Sequence, residues 1–527
     1  MDLKDDKLRR LRQVITENLR IELGGNKNPP YIDVGSALAD VSARQNHAIF
    51  ARRGCGKTLL LHHSSRKLDG SNKVVYLNCE DFKQHSFPNV LVEILDALFS
   101  ELEKDLSGWK KVFSPDWRGK RKASKQLIQN IREQLQVKRS AADELEQTVR
   151  TIQARESLKG ADAALAFTVP GAEAKMGAKL SEQSKDETEK SFKVQSNKLR
   201  ELDLWLPQLK QQVRQFLDSA CDIETVFLQI DDLYHLRRAD QPYVVDYIHR
   251  LCKDLPLYFK IATLRHASSL YVDREGQPIG AQERHDYQPV NIDYTFADLA
   301  RTKNQDWQIL VEFGKLAGMN EQDVASLFKG DGFSRLVMSG GGVPRDTLSL
   351  FLEVLSNVQS QGVDRIGKDD VRILSRSNFE RRIEELKHDS EGGEQDTLMR
   401  GIFVLREFCL TKKTNAFVIS EGLLQQDDAL RSLVYRLLDY RIIHNAGMAL
   451  SHKSQSGTYQ AFVIDIGCYA HIRKLDGRFN ELDVSSVDAK DKLRSMPVLG
   501  KEDFAALWAA TPANVETGLL QDTVSTE

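Results

Sequence analysis

Hydrophobic positions near the start of the chain alternate between short apolar runs and helical stripes. Residues 47–50 (HAIF) and 74–78 (VVYLN) form compact apolar runs, and the helical segment 58–67 lies between them. Short apolar runs bounded by turn-forming residues are typical of buried strands. Two strands joined through a helix run parallel, because an antiparallel pair needs only a tight turn. The pattern therefore predicts a β-α-β unit and a parallel sheet.

The same alternation predicts further elements along the chain. We expect strands from Thr225 (TVFLQI) and over 258–264, with a helix over 242–253 between them. Apolar residues at helical spacing predict further helices over 7–22, 88–106, 124–155, 194–219 and most of 294–358, and a helical pair over 366–390. Residues 159–192 are small, polar and charged, which predicts a flexible or weakly structured stretch inside a long insertion.

The C-terminal part reads as a separate small domain over 398–475. Helices over 398–410 and 427–440 precede a two-stranded ribbon, an order that resembles a winged helix. In a DNA-binding version the helix 427–440 would enter the major groove with its N-terminus first, where Asp427 and Asp428 would repel phosphate. The side chains available for backbone contacts are Arg431, Arg436, His452 and Lys453. DNA contact and a protein–protein or packing role both stay open, and so does DNA contact by the basic connector 110–125.

Composition narrows the class of protein. The 527 residues suggest roughly three to four domains, and 74 Lys+Arg against 76 Asp+Glu exclude a chain that is basic throughout. No apolar run approaches the roughly 18–20 residues of a membrane helix, and the first residues lack a signal-peptide apolar region. The six cysteines contain no CxxC pair, so we expect reduced thiols, no zinc site and a cytoplasmic location.

A phosphate-binding loop follows the first strand. Residues 51–58 (ARRGCGKT) match the Walker A pattern G-x-x-x-x-G-K-[ST], with Ala51 in place of the first glycine. Glycines let the backbone N–H groups turn inward at a phosphate, and the following helix directs its positive end at the same anion. This pattern predicts ATP and Mg²⁺, with Lys57 on the β- and γ-phosphates and Thr58 on the metal. The expected nucleotide-binding residues are Gly54, Cys55, Gly56, Lys57, Thr58 and Leu59.

Two neighbouring side chains in this loop leave alternatives open. Cys55 is either a small residue that fits the turn or an oxidation-sensitive thiol beside a helix N-terminus. Arg52 and Arg53 either contact phosphate or a neighbouring subunit, or are solvated.

Two later strands end in polar residues that suit catalysis at this loop. Asp231 would hold Mg²⁺, and Asp232 would orient or deprotonate the attacking water. Asp232 is one methylene shorter than glutamate, so slow hydrolysis and ATP binding with little cleavage both stay open. At the end of the next strand, Thr263 and Arg265 could contact the γ-phosphate or the water, and Arg265 could instead pair with a surface carboxylate.

A glycine-rich break followed by Pro344-Arg345 (MSGGGVPRD, 338–346) resembles the sensor 2 helix of initiator-type AAA+ ATPases. These are the origin-recognition and replication-initiator clade and its bacterial relatives, which are close to the STAND signalling ATPases. The resemblance covers about residues 30–475 and implies that Arg345 reaches the nucleotide from a helical lid. The Asp-Asp pair looks more like the STAND proteins, and the 110–220 insertion departs from a minimal core. No arginine finger can be chosen among Arg274, Arg284 and Arg301.

The expected fold is α/β: a P-loop αβα sandwich with a parallel sheet, a helical lid, a helical insertion and a winged-helix-like domain. The expected division is an N-terminal helix (1–30), a P-loop core (31–109 and 221–293), an insertion (110–220), a lid (294–397), a winged-helix-like domain (398–475) and a tail (476–527).

The resemblance implies an ATP-binding, slowly hydrolysing molecular switch, an ATPase component of an antiphage-defence or mobile-element system. The alternatives are a DNA-binding initiator or transposition-type ATPase, and a scaffold that binds ATP without cleaving it. A homo-oligomer or an effector protein is the expected partner, and no membrane is.

Overall fold

The first domain is built on a five-stranded parallel sheet. Its strands are β1 (His47–Phe50), β2 (Asn72–Asn78), β3 (Thr225–Asp231), β4 (Leu257–Thr263) and β7 (Gln288–Asn291). They lie side by side in the order β2-β3-β4-β1-β7. Every residue of β1 and β3 is buried, as expected for a parallel sheet covered on both faces. From β1 the chain crosses to β2 at the edge of the sheet and returns through β3 and β4, which lies beside β1. Because these strands are parallel, the carboxyl ends of β1, β3 and β4 lie at the same end of the sheet. Ligands bind at this place in open α/β sheets.

This computed structural model describes nine stretches of the chain: 6–21, 29–68, 70–105, 119–139, 198–219, 223–274, 276–390, 392–470 and 479–512. The expected flexible stretch 159–192, the end of the expected helix 124–155 and residues 110–118 of the basic connector lie outside them.

Helices cover both faces of the sheet. They are α2 (Ala37–Ser42), α3 (Lys57–Lys67), α4 (Asn89–Asp105), α5 over 119–139, α6 over 198–219 and α7 (Gln241–Cys252). Within the described part of the insertion, the helices α5 and α6 bury Ile131 and Leu209 in the same hydrophobic core as Leu95 of α4. The insertion therefore extends the core of the sheet domain.

Three strands between β4 and the lid were not predicted from the sequence. A hairpin of β5 (Tyr271–Arg274) and β6 (Gln277–Gly280) follows β4, and β7 then joins the sheet beside β1. The β7 sequence, QPVN, has one buried apolar residue, Val290. Its strand conformation comes from pairing with β1, because its own sequence has little β-propensity.

Five helices follow the sheet domain and form the lid. They are α8 (Leu299–Leu316), α9 (Glu321–Ala325), α10 (Gly332–Ser339), α11 (Pro344–Ser360) and α12 (Lys368–Asp389). Here α12 is one helix, so the expected helical pair over 366–390 was wrong. The N-terminal helix α1 (Asp6–Asn18) packs on the lid, where Leu8, Leu11 and Ile15 join the core of α8 and α11.

The C-terminal domain has the element order of a winged helix. It comprises α13 (Gly392–Thr411), β8 (Ala416–Ser420), α14 (Glu421–Gln426), α15 (Asp428–Asp439), β9 (Ile443–Ser451) and β10 (Thr458–Ile464). The sheet has three antiparallel strands in the order β8-β10-β9, so the expected two-stranded ribbon lacked β8. Two later helices, α16 (Ala489–Leu493) and α17 (Lys501–Ala510), pack on the same domain, and Arg400 of α13 lies over the Trp508 ring.

Candidate functional site

The loop after β1 has the backbone conformation that a phosphate cradle requires. Gly54 and Gly56 have φ values of +87° and +89°, which glycine adopts without steric cost. Gly56 immediately precedes α3, whose first N–H groups therefore face the loop. A Cβ at Gly54 would lie 2.8 Å from Val343 Cγ1 and 2.9 Å from Arg345 Cβ, so glycine also permits the lid to approach. The loop and the helix N-terminus together fit an anion such as a phosphate.

Lys57 lies inside this loop with its side chain buried. Its ammonium donates hydrogen bonds to the carbonyl oxygens of Ala51 (3.0 Å) and Arg52 (3.3 Å). Burial lowers the pKa of Lys57, and the negative charge of Asp232 opposes that shift. The ammonium therefore holds the loop closed at the position from which it could reach a phosphate chain.

Asp231 connects the acidic strand end to the first turn of α3. Its Oδ2 accepts hydrogen bonds from the Thr58 hydroxyl (2.6 Å) and from the Tyr76 hydroxyl of β2 (2.8 Å). Burial and the neighbouring Asp232 raise the pKa of Asp231 to about 6. The hydroxyl and the carboxylate are oxygen ligands of the type that Mg²⁺ prefers. Sequence reasoning missed Tyr76, which is brought here by the parallel pairing of β2 with β3.

Asp232 turns the chain sharply after β3. Its φ of 53° and ψ of 44° lie in the left-handed region, where a non-glycine residue is strained, and such strain is common at functional sites. The turn places the Tyr234 ring over the phosphate loop. The ring centroid lies 4.6 Å from Arg53 Cζ and 5.8 Å from Lys57 Nζ. Tyr234 was not singled out from the sequence, because no periodic pattern marks it.

At the end of β4, Thr263 lies beside the phosphate loop, whereas the Arg265 side chain pairs with a carboxylate outside the loop. Thr263 is buried, pairs with Phe50 in the sheet, and its hydroxyl lies 2.5 Å from that of Ser268. Arg265 forms an ion pair with Glu283 (2.9 Å) and lies over the Phe50 ring. Of the two alternatives for Arg265, this structure displays the carboxylate pair.

The lid contributes Arg345 at the start of α11. Pro344 occupies the first turn, where its missing N–H costs nothing, and the Arg345 N–H points at the Gly54 carbonyl (3.4 Å). The Arg345 side chain is exposed, and its charge contributes to lowering the pKa of Lys57. The expected sensor 2 arginine therefore lies next to the phosphate loop.

Arg52 and Cys55 are packed against one carboxylate. The Arg52 guanidinium forms a two-pronged ion pair with Asp293 (2.7 and 2.8 Å), so Arg52 is neither solvated nor directed at a phosphate. Cys55 Sγ lies 3.7 Å from the same carboxylate. Burial and Asp293 raise the pKa of the Cys55 thiol, which disfavours the reactive thiolate and favours the steric role.

The C-terminal domain and the end of the lid contact the same edge of the sheet. Asp389, the last residue of α12, pairs with Arg53, and Arg441 donates to the Arg53 carbonyl oxygen (3.3 Å). Asp439 of α15 accepts the backbone N–H groups of His266 (3.1 Å) and Ala267 (2.6 Å) in the loop after β4. The residues in each of these contacts are more than 170 positions apart in the sequence, so no local pattern could predict the contacts.

Three of the cations considered for DNA contact already have carboxylate partners. Arg431 pairs with Asp428 (2.6 Å), Arg436 with Glu394 (2.7 Å) and Lys453 with Asp491 (2.6 Å). The C-terminal end of α15 is docked on the β4 loop, and its Tyr435 ring stacks on His266 at 4.4 Å. The C-terminal end of α15 thus packs against the sheet domain.

The three arginine-finger candidates remain undistinguished. Arg301 lies over the Tyr294 ring and donates to the Val34 carbonyl oxygen, and Arg274 donates to the Tyr243 hydroxyl. Arg284 has a left-handed backbone with φ of 67°.

The described residues carry neither a membrane span nor a cluster of metal ligands. None of the helices described is both long and apolar enough to cross a membrane. Within the same part of the chain, no group of three or more His, Cys, Asp or Glu side chains could hold a metal ion.

Solved structures similar to this chain cover most of its length. The Aeropyrum pernix ORC2 protein in ADPNP–ADP complexes is 13% identical with a TM-score of 0.36, covering 93% of this chain and 97% of that chain. Drosophila ORC bound to DNA is 13% identical with a TM-score of 0.34, covering 89% and 93%. Cdc6p from Pyrobaculum aerophilum is 12% identical with a TM-score of 0.31, covering 93% and 97%. No family model and no curated protein matches the sequence. The chain has a P-loop αβα fold with a parallel sheet, a helical lid and a winged-helix-like C-terminal domain.

Proposed function

We propose that this protein binds Mg²⁺-ATP at the loop after β1 and acts as a slowly hydrolysing nucleotide switch. The single observation that carries the proposal is the 2.6 Å hydrogen bond between Thr58 and Asp231, which joins the phosphate loop to the acidic strand end. The two residues are 173 positions apart, and a chance GKT turn would have no reason to meet a buried carboxylate there.

Each residue of the loop has a role that follows from its position. The N–H groups after Gly54 and Gly56 would bind phosphate oxygens, and Lys57 would exchange its two carbonyl acceptors for the β- and γ-phosphates. Thr58 and Asp231 would hold Mg²⁺, which supplies charge neutralisation at the leaving and transferred phosphates. Arg345 would approach the same phosphates from the lid.

Hydrolysis would depend on Asp232. Asp232 has a left-handed backbone at the end of β3, and its negative charge acts on the ammonium of Lys57 in the loop. An aspartate reaches less far than a glutamate toward the attacking water, which supports a low rate.

A nucleotide switch also needs a domain whose position depends on the bound nucleotide. The lid and the C-terminal domain contact the sheet domain through Asp389, Arg441 and Asp439, at or beside the phosphate loop. A change at the phosphates would therefore alter contacts that hold these domains in place. An effector protein or a second copy of the chain would read that change. A role in antiphage defence or in a mobile element stays part of this proposal.

The first experiment measures nucleotide binding by titration calorimetry. We expect Lys57→Ala to abolish binding of ATP, whereas Lys67→Ala, an equal charge change at the exposed end of the same helix, leaves it unchanged. Asp232→Asn should retain ATP binding and lose turnover in a phosphate-release assay. ATP binding by Lys57→Ala at the wild-type affinity would refute the site, and wild-type turnover of Asp232→Asn would refute the role of Asp232. Wild-type binding without any turnover would favour the scaffold that binds ATP without cleaving it.

A second candidate, DNA binding, is supported by the winged-helix element order of the C-terminal domain. Binding of a labelled duplex that weakens steeply with salt would support phosphate contacts. Mass photometry with and without a slowly hydrolysed ATP analogue, repeated with duplex, would report the oligomeric state.

A further inference from the structure

Arg53 is a cation of the phosphate loop whose partner comes from the lid. It precedes Gly54 and forms an ion pair with Asp389, although 336 residues separate them. Both side chains are only 16% exposed, so solvent screens the pair little. The Nε atom of Arg53 is buried and has no hydrogen-bond partner among the residues that the structure describes. Arg53 therefore retains donor capacity that this arrangement leaves unused.

The position of Arg53 places it beside the expected terminal phosphate. Arg53 Cζ lies 4.6 Å and Lys57 Nζ lies 5.8 Å from the centroid of the Tyr234 ring, so the two cations converge on one ring. Lys57 is the residue that a P-loop directs at the β- and γ-phosphates. A γ-phosphate offers three acceptor oxygens where Asp389 offers two, and a guanidinium binds either in a forked geometry.

Asp389 stands at the junction between two domains. It is the last residue of α12, and α13, the first helix of the C-terminal domain, begins at Gly392. Arg441 of that domain contacts the Arg53 backbone as well, with 3.3 Å between Nη1 and the carbonyl oxygen. A change in the ion pair between Arg53 and Asp389 would therefore act at the junction between the lid and the C-terminal domain.

We infer that Asp389 and the γ-phosphate of a bound nucleoside triphosphate compete for Arg53, so that Arg53 distinguishes triphosphate from diphosphate and reports it to the lid–C-terminal junction. The inference rests on the proposed function and names the regulation of that same site. With a diphosphate, Arg53 keeps Asp389 and the junction is held. With a triphosphate, the guanidinium transfers to phosphate and the carboxylate is released.

The test compares affinities for a slowly hydrolysed ATP analogue and for ADP, measured by calorimetry on the full chain with Mg²⁺. Asp389→Asn removes the competing charge and should raise the ratio of analogue affinity to ADP affinity by about fivefold or more, within the usual range of couplings between sites. Glu380→Gln is the matched control: it removes an equal charge from an exposed pair with Arg376 on the same helix and should leave the ratio unchanged.

Two further variants separate competition from a general effect on folding. Asp389→Glu keeps the charge and should show a ratio near that of the wild type. Arg53→Gln should lower the ratio, and adding Asp389→Asn to Arg53→Gln should then change nothing, because the cation competed for is gone. Should Arg53→Gln fail to fold, Arg53→Lys, which keeps the charge but loses the fork, should give an intermediate ratio.

The outcomes distinguish this inference from the proposed function. An unchanged ratio in Asp389→Asn, or an equal change for both nucleotides, overturns the competition while ATP binding that depends on Lys57 still stands. Absence of nucleotide binding by the wild-type chain overturns both.

Discussion

The buried side chain of Arg382 makes a prediction about what holds the C-terminal domain to the lid. Arg382 of α12 is 1% exposed and contacts four acceptors that all lie outside its own helix. Its acceptors are Asp346 of α11 (3.0 Å), Asp465 after β10, and the carbonyl oxygens of Arg441 (3.1 Å) and Ser339 (3.2 Å). We expect Arg382→Met to destabilise the protein strongly, because it leaves two buried carboxylates without this cation.

The magnitude follows from the partners that remain. Removing one member of a buried ion pair costs about 3–5 kcal/mol. Asp346 would keep Arg441 (3.1 Å), and Asp465 would keep His444 (3.0 Å) and the Gly467 N–H (2.8 Å), so we expect the low end of that range. At roughly 2 °C per kcal/mol for a large cooperative unit, about 3 kcal/mol lowers Tm by about 6 °C.

Thermal unfolding by differential scanning calorimetry measures the effect. Arg381→Met is the matched control, since Arg381 is the preceding residue, is 40% exposed and pairs with Glu353 at 2.6 Å. A surface pair of this kind contributes at most about 1 kcal/mol, so Tm should fall by less than about 2 °C. Equal shifts for the two variants would refute the claim that burial makes the difference.

The pH dependence supplies a second check. Burial opposes ionisation of Asp346, but Arg441 and Arg382 together hold the pKa of its carboxyl below the usual value. A carboxyl with a lowered folded pKa contributes stability above its unfolded pKa, and that stability is lost as pH falls through the folded pKa. The deficit of Arg382→Met should therefore shrink in acid. A deficit of the same size at neutral and acidic pH would count against the ion-pair explanation.

Two further predictions concern a buried acid and a loop glycine. Burial raises the pKa of Asp306 from 3.8 to about 7, and its Oδ1 has no partner within the described chain, so ionisation costs stability as pH rises through that interval. Asp306→Asn should therefore raise Tm at about pH 8 and less at about pH 5, whereas a pH-independent difference would contradict the assignment. Gly54→Ala should weaken ATP binding by about tenfold or more, because the added Cβ meets Val343 at 2.8 Å in a left-handed backbone. Gly276→Ala, with φ of +80° and no described atom within 4 Å, controls for backbone strain and should bind ATP normally.

The chemistry of the candidate site could be read from the sequence because it is local. The residues of the phosphate loop are contiguous from Ala51 to Thr58, and the glycine positions dictate the backbone conformation that the structure displays. Likewise, an apolar run that ends in two carboxylates predicts a buried strand with acids at its carboxyl end, as in β3. Strands of this kind join in parallel and bring their ends to one edge, which made the fold class predictable.

Strands whose own sequence gives only a weak or ambiguous pattern were not predicted. The β7 strand has one buried apolar side chain, and it adopts the strand conformation through its pairing with β1. The β8 strand, AFVIS, is strongly apolar, yet a run of four apolar residues between two helices does not distinguish a strand from a helix extension. Only the partner β10 resolves that ambiguity.

The sequence by itself was enough to predict a phosphate-binding loop, because the loop, the helix start and the acid pair each consist of a few adjacent residues. Only the tertiary structure decided which charged side chains form ion pairs with one another. Arg52 meets Asp293 across 241 residues, Arg53 meets Asp389 across 336, and Arg382 meets Asp465 across 83. An ion pair between distant residues leaves no period or spacing in either segment, because each charge on its own looks like part of a solvated helix or loop. Their burial, and hence their strength, exists only after the lid and the C-terminal domain have closed over the sheet.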